Sequence, residues 1–277
     1  MIQRILTLTL YLFRSLLFSL SGLLYFMLAL AFYIVFLDPR QRTPDTDYYI
    51  LILGGFGMGL TFLVTLTVAA RANQSLHYPL IVRLQSRVEY LTAVMLTAIT
   101  FAFSIQILVA IVALLLNGPD LMLRQVIEIP PLWIAANILF GVLALHASDL
   151  VTAGWSRVYV YGVLLILLYG RGSIGTVVGW FATLFSQLGN NMLAQGWVDL
   201  GSGLFHFSNW LNDTVAELLQ DILGLVFWPF SAVTEATING AFSRTQSLAP
   251  AIMLLYATIL FLLAADFLAT KDLYLTE

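Results

Sequence analysis

His77, His146 and His206 are the only histidines in the 277-residue chain, and there is no cysteine. Disulfides, thiolate metal sites, iron–sulfur clusters and cysteine nucleophiles are therefore excluded. The three histidines fall on a loop, a helix end and a second loop far along the chain. They do not form a metal cluster, and a haem held between helices needs two intramembrane histidines where only His146 qualifies. His146 reads as a polar residue near a membrane boundary. Lys271 is the single lysine and stands next to Thr270 near the C-terminus. A phosphate-cradling Gly-Lys-Ser/Thr loop is thus absent, and the chain has no P-loop route to ATP of its own. No cofactor, metal site or catalytic group is expected, and the protein is read as no enzyme.

The remaining polar residues in apolar surroundings are few. Asp149 and Asp266 lie near run ends and read as solvated or snorkelling carboxylates, and Glu128 before Pro130-Pro131 reads the same way. Gln106 and Asn137 are the only polar candidates near a midplane, and neither is charged. A proton-coupled secondary carrier is disfavoured on that ground. What stands out is "RANQSLHYPLIVRLQSRVEYL", Arg71 to Leu91, which gathers Arg71, Arg83 and Arg87 in a chain with only 10% charged residues. As a helix over 76–91 it would place Leu76, Leu80, Leu84, Val88 and Leu91 on one arc. Arg83 and Arg87 would line its edge and Glu89 its far side, with Pro79 in the first turn. Such a helix lies flat, its arginines reaching headgroups or a protein surface. The residues alone leave two readings open: a docking helix for a cytoplasmic partner, and a plain basic loop that fixes topology.

These residues hang on very apolar elements. Hydrophobic residues make up 60% of the chain and mean hydropathy is +0.92. A soluble domain carries roughly 25% charged residues, so this composition defines an integral membrane protein, and long unbroken apolar runs favour helices over barrel strands. Each crossing needs ~20 residues. The runs are Ser15–Leu37, Tyr48–Ala70, Tyr90–Leu116, Pro131–Ser148, Ser156–Tyr169 and Ala249–Ala269. The first continues six residues past the cleavage-like Ala29-Leu30-Ala31, which favours a retained helix over a signal peptide. Met1–Phe13 before it is weakly amphipathic. Gly54, Gly55, Gly57 and Gly59 in the second run suit close helix packing. The fifth run has 14 residues and spans only ~21 Å. The expected fold is thus all-α: six transmembrane helices, a short cytoplasmic helix, and amphipathic or re-entrant outer helices in 171–248, all in one domain.

With the N-terminus inside, Arg4, Arg14, Arg71, Arg83, Arg87, Arg157 and Lys271 fall on the inner side. Arg40, Arg42, Arg124, Arg171 and Arg244 fall outside. The bias places both termini in the cytoplasm. The outer segment carries Trp180, Trp197, Trp210 and Trp228. Leu211, Val215, Leu218, Leu219, Ile222 and Leu223 fall on one helical face, opposite Asp213, Glu217, Gln220 and Asp221.

This layout resembles the permease subunits of ABC-2-type transporters: an N-terminal interfacial helix, six crossings, a coupling helix between crossings two and three, and outer helices between five and six. "SRVEYL", Ser86 to Leu91, resembles the string that opens crossing three in that family. Thr92-Ala93-Val94 follows it where members often carry Gly-Lys, and the outer segment is longer than theirs. The resemblance implies a subunit of the cytoplasmic (plasma) membrane that works with separate cytoplasmic ABC ATPase subunits and a second permease copy or paralogue. Leu80, Arg83, Leu84, Arg87 and Glu89 would be its docking residues. The lipid bilayer is its other partner, and nucleic acid is not. The alternative is a non-catalytic subunit of a larger respiratory, photosynthetic or other membrane complex.

Overall fold

A computed structural model describes residues 1–40, 43, 45–73, 84, 86–151, 155–238, 243 and 245–270. Among these, every regular element is helical and no strand occurs. Four helices are long and apolar enough to cross a membrane: Thr46–Ala72, Arg87–Leu116, Gln125–Ala147 and Gln246–Thr270. The number rises to six if each of two bent helix pairs counts as one span. The chain fits a multi-pass membrane protein.

Helices α1 (Ile2–Leu17) and α2 (Leu20–Phe36) are bent by 70° at a break. The expected run Ser15–Leu37 is therefore not one helix. Ser19 has extended backbone and accepts from Gly22 N at 3.2 Å, which starts a new helix. Gly22 is required at this turn, because a Cβ there would overlap the carbonyl oxygens of Leu16 and Leu17. Arg71 braces the break, donating to Ser19 Oγ at 2.9 Å and Ser21 Oγ at 2.8 Å. At ~1.5 Å per residue α2 reaches about 26 Å, near the ~30 Å of a hydrocarbon core.

The next helices are α3 (Thr46–Ala72), α4 (Arg87–Leu116) and α5 (Leu123–Ala147). Cross-helix hydrogen bonds fix their directions. Tyr49 Oη donates to Ala110 O at 2.8 Å and Tyr90 Oη to Ala72 O at 3.0 Å, so α3 and α4 are antiparallel. Trp133 Nε1 donates to Ile50 O at 3.3 Å, while Gly141 lies against Thr61, so α5 runs parallel to α3. Tyr25 Oη reaches Leu63 O, and Tyr48 Oη reaches Phe36 O, both at 2.9 Å; α2 is antiparallel to α3. Pro130 and Pro131 sit inside α5 rather than opening it.

Beyond these lie α6 (Trp155–Ala194), α7 (Val198–Trp210), a π turn (Leu211–Val215), α8 (Ala216–Val226), α9 (Trp228–Ile238) and α10 (Ala249–Thr270). The short fifth run is corrected: α6 does not stop near Tyr169 but continues to Ala194, 40 residues in all. The chain divides into two compact units, Met1–Val160 with Ala232–Glu277, and Tyr161–Ser231.

The core of the first unit joins α1 to α5 and α10, with Leu53, Val64, Tyr90, Leu91 and Phe101 at 0–1% exposure. Phe101 receives Phe13, Tyr25 and Phe26 edge-on, with centroids 5.7–6.2 Å apart. The outward faces keep Leu23, Leu24, Leu115 and Leu262 exposed, as lipid-facing side chains are. Within the second unit the expected helix Leu211–Val226 is present, as the π turn and α8. Gln220 is exposed, as its place on the polar face requires, and its amide tip would stand 3.2 Å from a Cβ at Gly175.

Candidate docking site at the start of helix α4

One end of the first unit gathers the start of α1, the α1–α2 break, the end of α3, the start of α4 and the end of α10. Residues 74–83 and 85, which include the expected docking residues Leu80 and Arg83, lie outside the described residues, as does His77. Leu84 is described. It is half-buried and lines an open groove of about 640 Å³ with Gln3, Arg4, Thr7, Leu8 and Tyr11 of α1.

The expected flat helix over 76–91 does not extend through its last residues. Ser86 has extended backbone, φ −144° and ψ 134°, and its Oγ accepts from Val88 N at 3.2 Å. That is an N-cap, and Arg87 to Leu91 belong to α4, which starts three residues before the expected Tyr90. Because Ser86 aims the first turn, Arg87 and Glu89 point at different neighbours. Arg87 Nη1 donates to Leu268 O at 3.2 Å and Ala269 O at 3.4 Å. These are among the last carbonyls of α10, which lack helical partners of their own.

Glu89 is 5% exposed, not on an outer polar edge. Its Oε1 lies 3.7 Å from Arg4 Nη2, and Oε2 has no hydrogen-bond partner among the described residues. A buried carboxylate needs compensation, and the amphipathic α1 supplies Arg4 from a half-exposed position. The pairing was not readable in the sequence, since nothing marks which inner arginine meets Glu89 across 85 residues.

The other candidates separate. Gln106 and Asn137 come together at 2.7 Å and are both 0% exposed. His146, expected near a boundary, is 7% exposed and donates from Nε2 to Leu260 O at 2.8 Å. Asp149, Asp266 and His206 are exposed. Among the described residues no group of three or more His, Asp or Glu could hold a metal ion. Of the four glycines in α3, Gly54 and Gly57 face Trp133 and Gln106, while Gly55 and Gly59 face open space.

Comparison with family models, curated proteins and solved structures finds no match.

Proposed function

We propose that the chain is the membrane-spanning permease subunit of an ABC-2-type transporter, driven by a separate cytoplasmic ATPase. The observation that carries this reading is the start of α4. There the Ser86–Leu91 string caps the helix, ties α10 through Arg87 and ties α1 through Glu89. Segment 74–85 joins α3 to this point. A push on that segment by a docked ATPase would reach three helices at once. The gathering of Arg4, Arg71 and Arg87 at this end supports a cytoplasmic orientation. The first turn of α1 and the last turn of α10 meet there too, which supports placing both termini in the cytoplasm. Two copies, or a copy and a paralogue, would form the path, with Leu80, Arg83 and Leu84 as the contacts of the docking segment.

The test is extraction of the tagged chain in mild detergent. The expected result is co-purification of a protein bearing a Walker motif, in near-stoichiometric amount and with ATP hydrolysis. A preparation without such a protein contradicts the reading. A second reading, a non-catalytic subunit of a larger membrane complex, is favoured by the exposure of Trp180, Trp197 and Trp210 at 51–58%. Co-purifying redox or photosynthetic subunits would support it instead.

A further inference from the structure

The middle of the first unit holds a polar joint that the docking end does not use. Gln106 of α4 donates from Nε2 to Leu53 O of α3 at 2.9 Å. Its Oε1 accepts from Asn137 Nδ2 of α5 at 2.7 Å. The amide fits because position 57 is glycine, where any Cβ would overlap it. One turn further along α3 is Thr61. One turn further along α5 is Gly141, where a Cβ would stand 3.4 Å from Thr61 Cγ2 and 3.6 Å from Thr65 Oγ1. Because α3 and α5 run parallel, Thr61 and Asn137 are bracketed by these two glycine contacts.

Two polar atoms in this bracket have no hydrogen-bond partner among the described residues, Thr61 Oγ1 and Asn137 Oδ1. Both residues are 0% exposed. The orientation of Thr61 is informative. Thr65 and Thr97, the other fully buried threonines among the described residues, each donate to the carbonyl one turn back at 2.7 Å. Thr61 does not take this default bond, and its hydroxyl has no partner among the described residues. A buried polar atom without a partner is costly, and more so where bulk water is far away.

We propose that Thr61 and Asn137 bind one buried water molecule. The Thr61 hydroxyl donates to the water, and the water donates to Asn137 Oδ1. Thr65 Oγ1 keeps a lone pair able to accept the water's second proton. No proton changes owner. The donor set selects water over a cation. The named groups around it, Leu53, Gly57, Thr65, Ile99, Gln106 and Gly141, carry no charge. A monovalent ion would sit uncompensated in a medium of low dielectric, whereas a water needs only two to four polar partners. The bound water then completes a three-helix joint halfway along α3, α4 and α5.

Thermal unfolding of the full chain in detergent tests this. Thr61→Val keeps the shape and removes the hydroxyl. Its midpoint is expected to fall by about 2–4 °C or more, and Thr61→Ser is expected to restore it. A valine variant as stable as the parent, or more so, overturns the proposal, because the hydroxyl would then be a mere orphan. Water-edited solid-state NMR of the parent in lipid, labelled at Asn and Thr, reads the ligand directly and does not depend on the variant folding. Transfer of water magnetisation to the Asn137 side chain is expected, and its absence overturns the proposal. Exchange of choline chloride for sodium chloride is expected to leave the parent's midpoint unchanged. A rise with sodium would mean a cation site and overturn the assignment to water.

Discussion

Glu89 shows how one side chain can hold an end of the bundle together. Its carboxylate is buried beside Arg4, with one oxygen unpartnered among the described residues. Removing the arginine alone strands the charge, so Arg4→Ala is expected to lower stability more than the double variant Arg4→Ala, Glu89→Gln. Thermal melts of the parent, the two single variants and the double variant in detergent measure this, and an additive double variant would show that the pair does not interact. Position 57 makes the same argument sterically. Gly57→Ala drives a methyl into an amide held at both ends, and is expected to cost about 1–3 kcal/mol. Gly59→Ala meets open space and is expected to be neutral or slightly stabilising, since alanine favours the helix. Equal melting of the two variants would contradict the packing described for Gln106. The sequence marked Gln106 and Asn137 as midplane polar residues and the α3 glycines as packing positions. It did not show that the amides bond each other, because that depends on the rotation of two helices about their axes.

Element boundaries were legible where the chain carries strong punctuation. α4 stops at Leu116, where the third apolar run was expected to end, and the two-faced helical pattern over Leu211–Val226 gave its helix. The first run hid a break, because an apolar stretch looks the same on either side of Ser19. The signals for a break are the cap residue Ser19 and the small residue Gly22, and both also occur inside continuous membrane helices. Gly22→Ala is therefore expected to open the 70° bend and lower the melting midpoint. The clash is with backbone carbonyls, which cannot swing aside as a side-chain tip can. A cysteine-free chain makes the check direct: spin labels on single cysteines introduced at Leu6 and Leu28, both exposed, should move apart in the Gly22→Ala variant, and an unchanged distance would contradict a built-in bend. The length of α6 was misread for the opposite reason. The apolar run stops at Tyr169, but the glycines at 170 and 172 cost only about 1 kcal/mol each in a helix interior, too little to stop a helix of 40 residues.

At the scale of the molecule, the composition pointed to a helical multi-pass membrane protein, and four to six long apolar helices fit one. The order and direction of the packed helices came from tyrosine, tryptophan and amide hydrogen bonds to backbone carbonyls. The meeting of α1, α4 and α10 at one end bears on topology. A reporter fused after Glu277 is expected to read cytoplasmic, and one inserted near Asn190 external. Reporters on the same side would contradict six crossings with an outer segment. The central claim concerns Leu84 and its neighbours between α3 and α4, where a docking segment needs shape and a topology signal needs only charge. Leu84→Pro keeps every charge, removes the leucine side chain from the groove it lines with α1 and fixes the backbone at that position. The most direct measurement is the amount of Walker-motif ATPase recovered with the Leu84→Pro protein, relative to the parent, at equal membrane insertion and orientation. The account predicts a marked loss of ATPase from the variant, with a smaller loss for Arg83→Lys combined with Arg87→Lys. Equal recovery from parent and variants would contradict it, and would leave the segment as a basic loop that only orients α3 and α4.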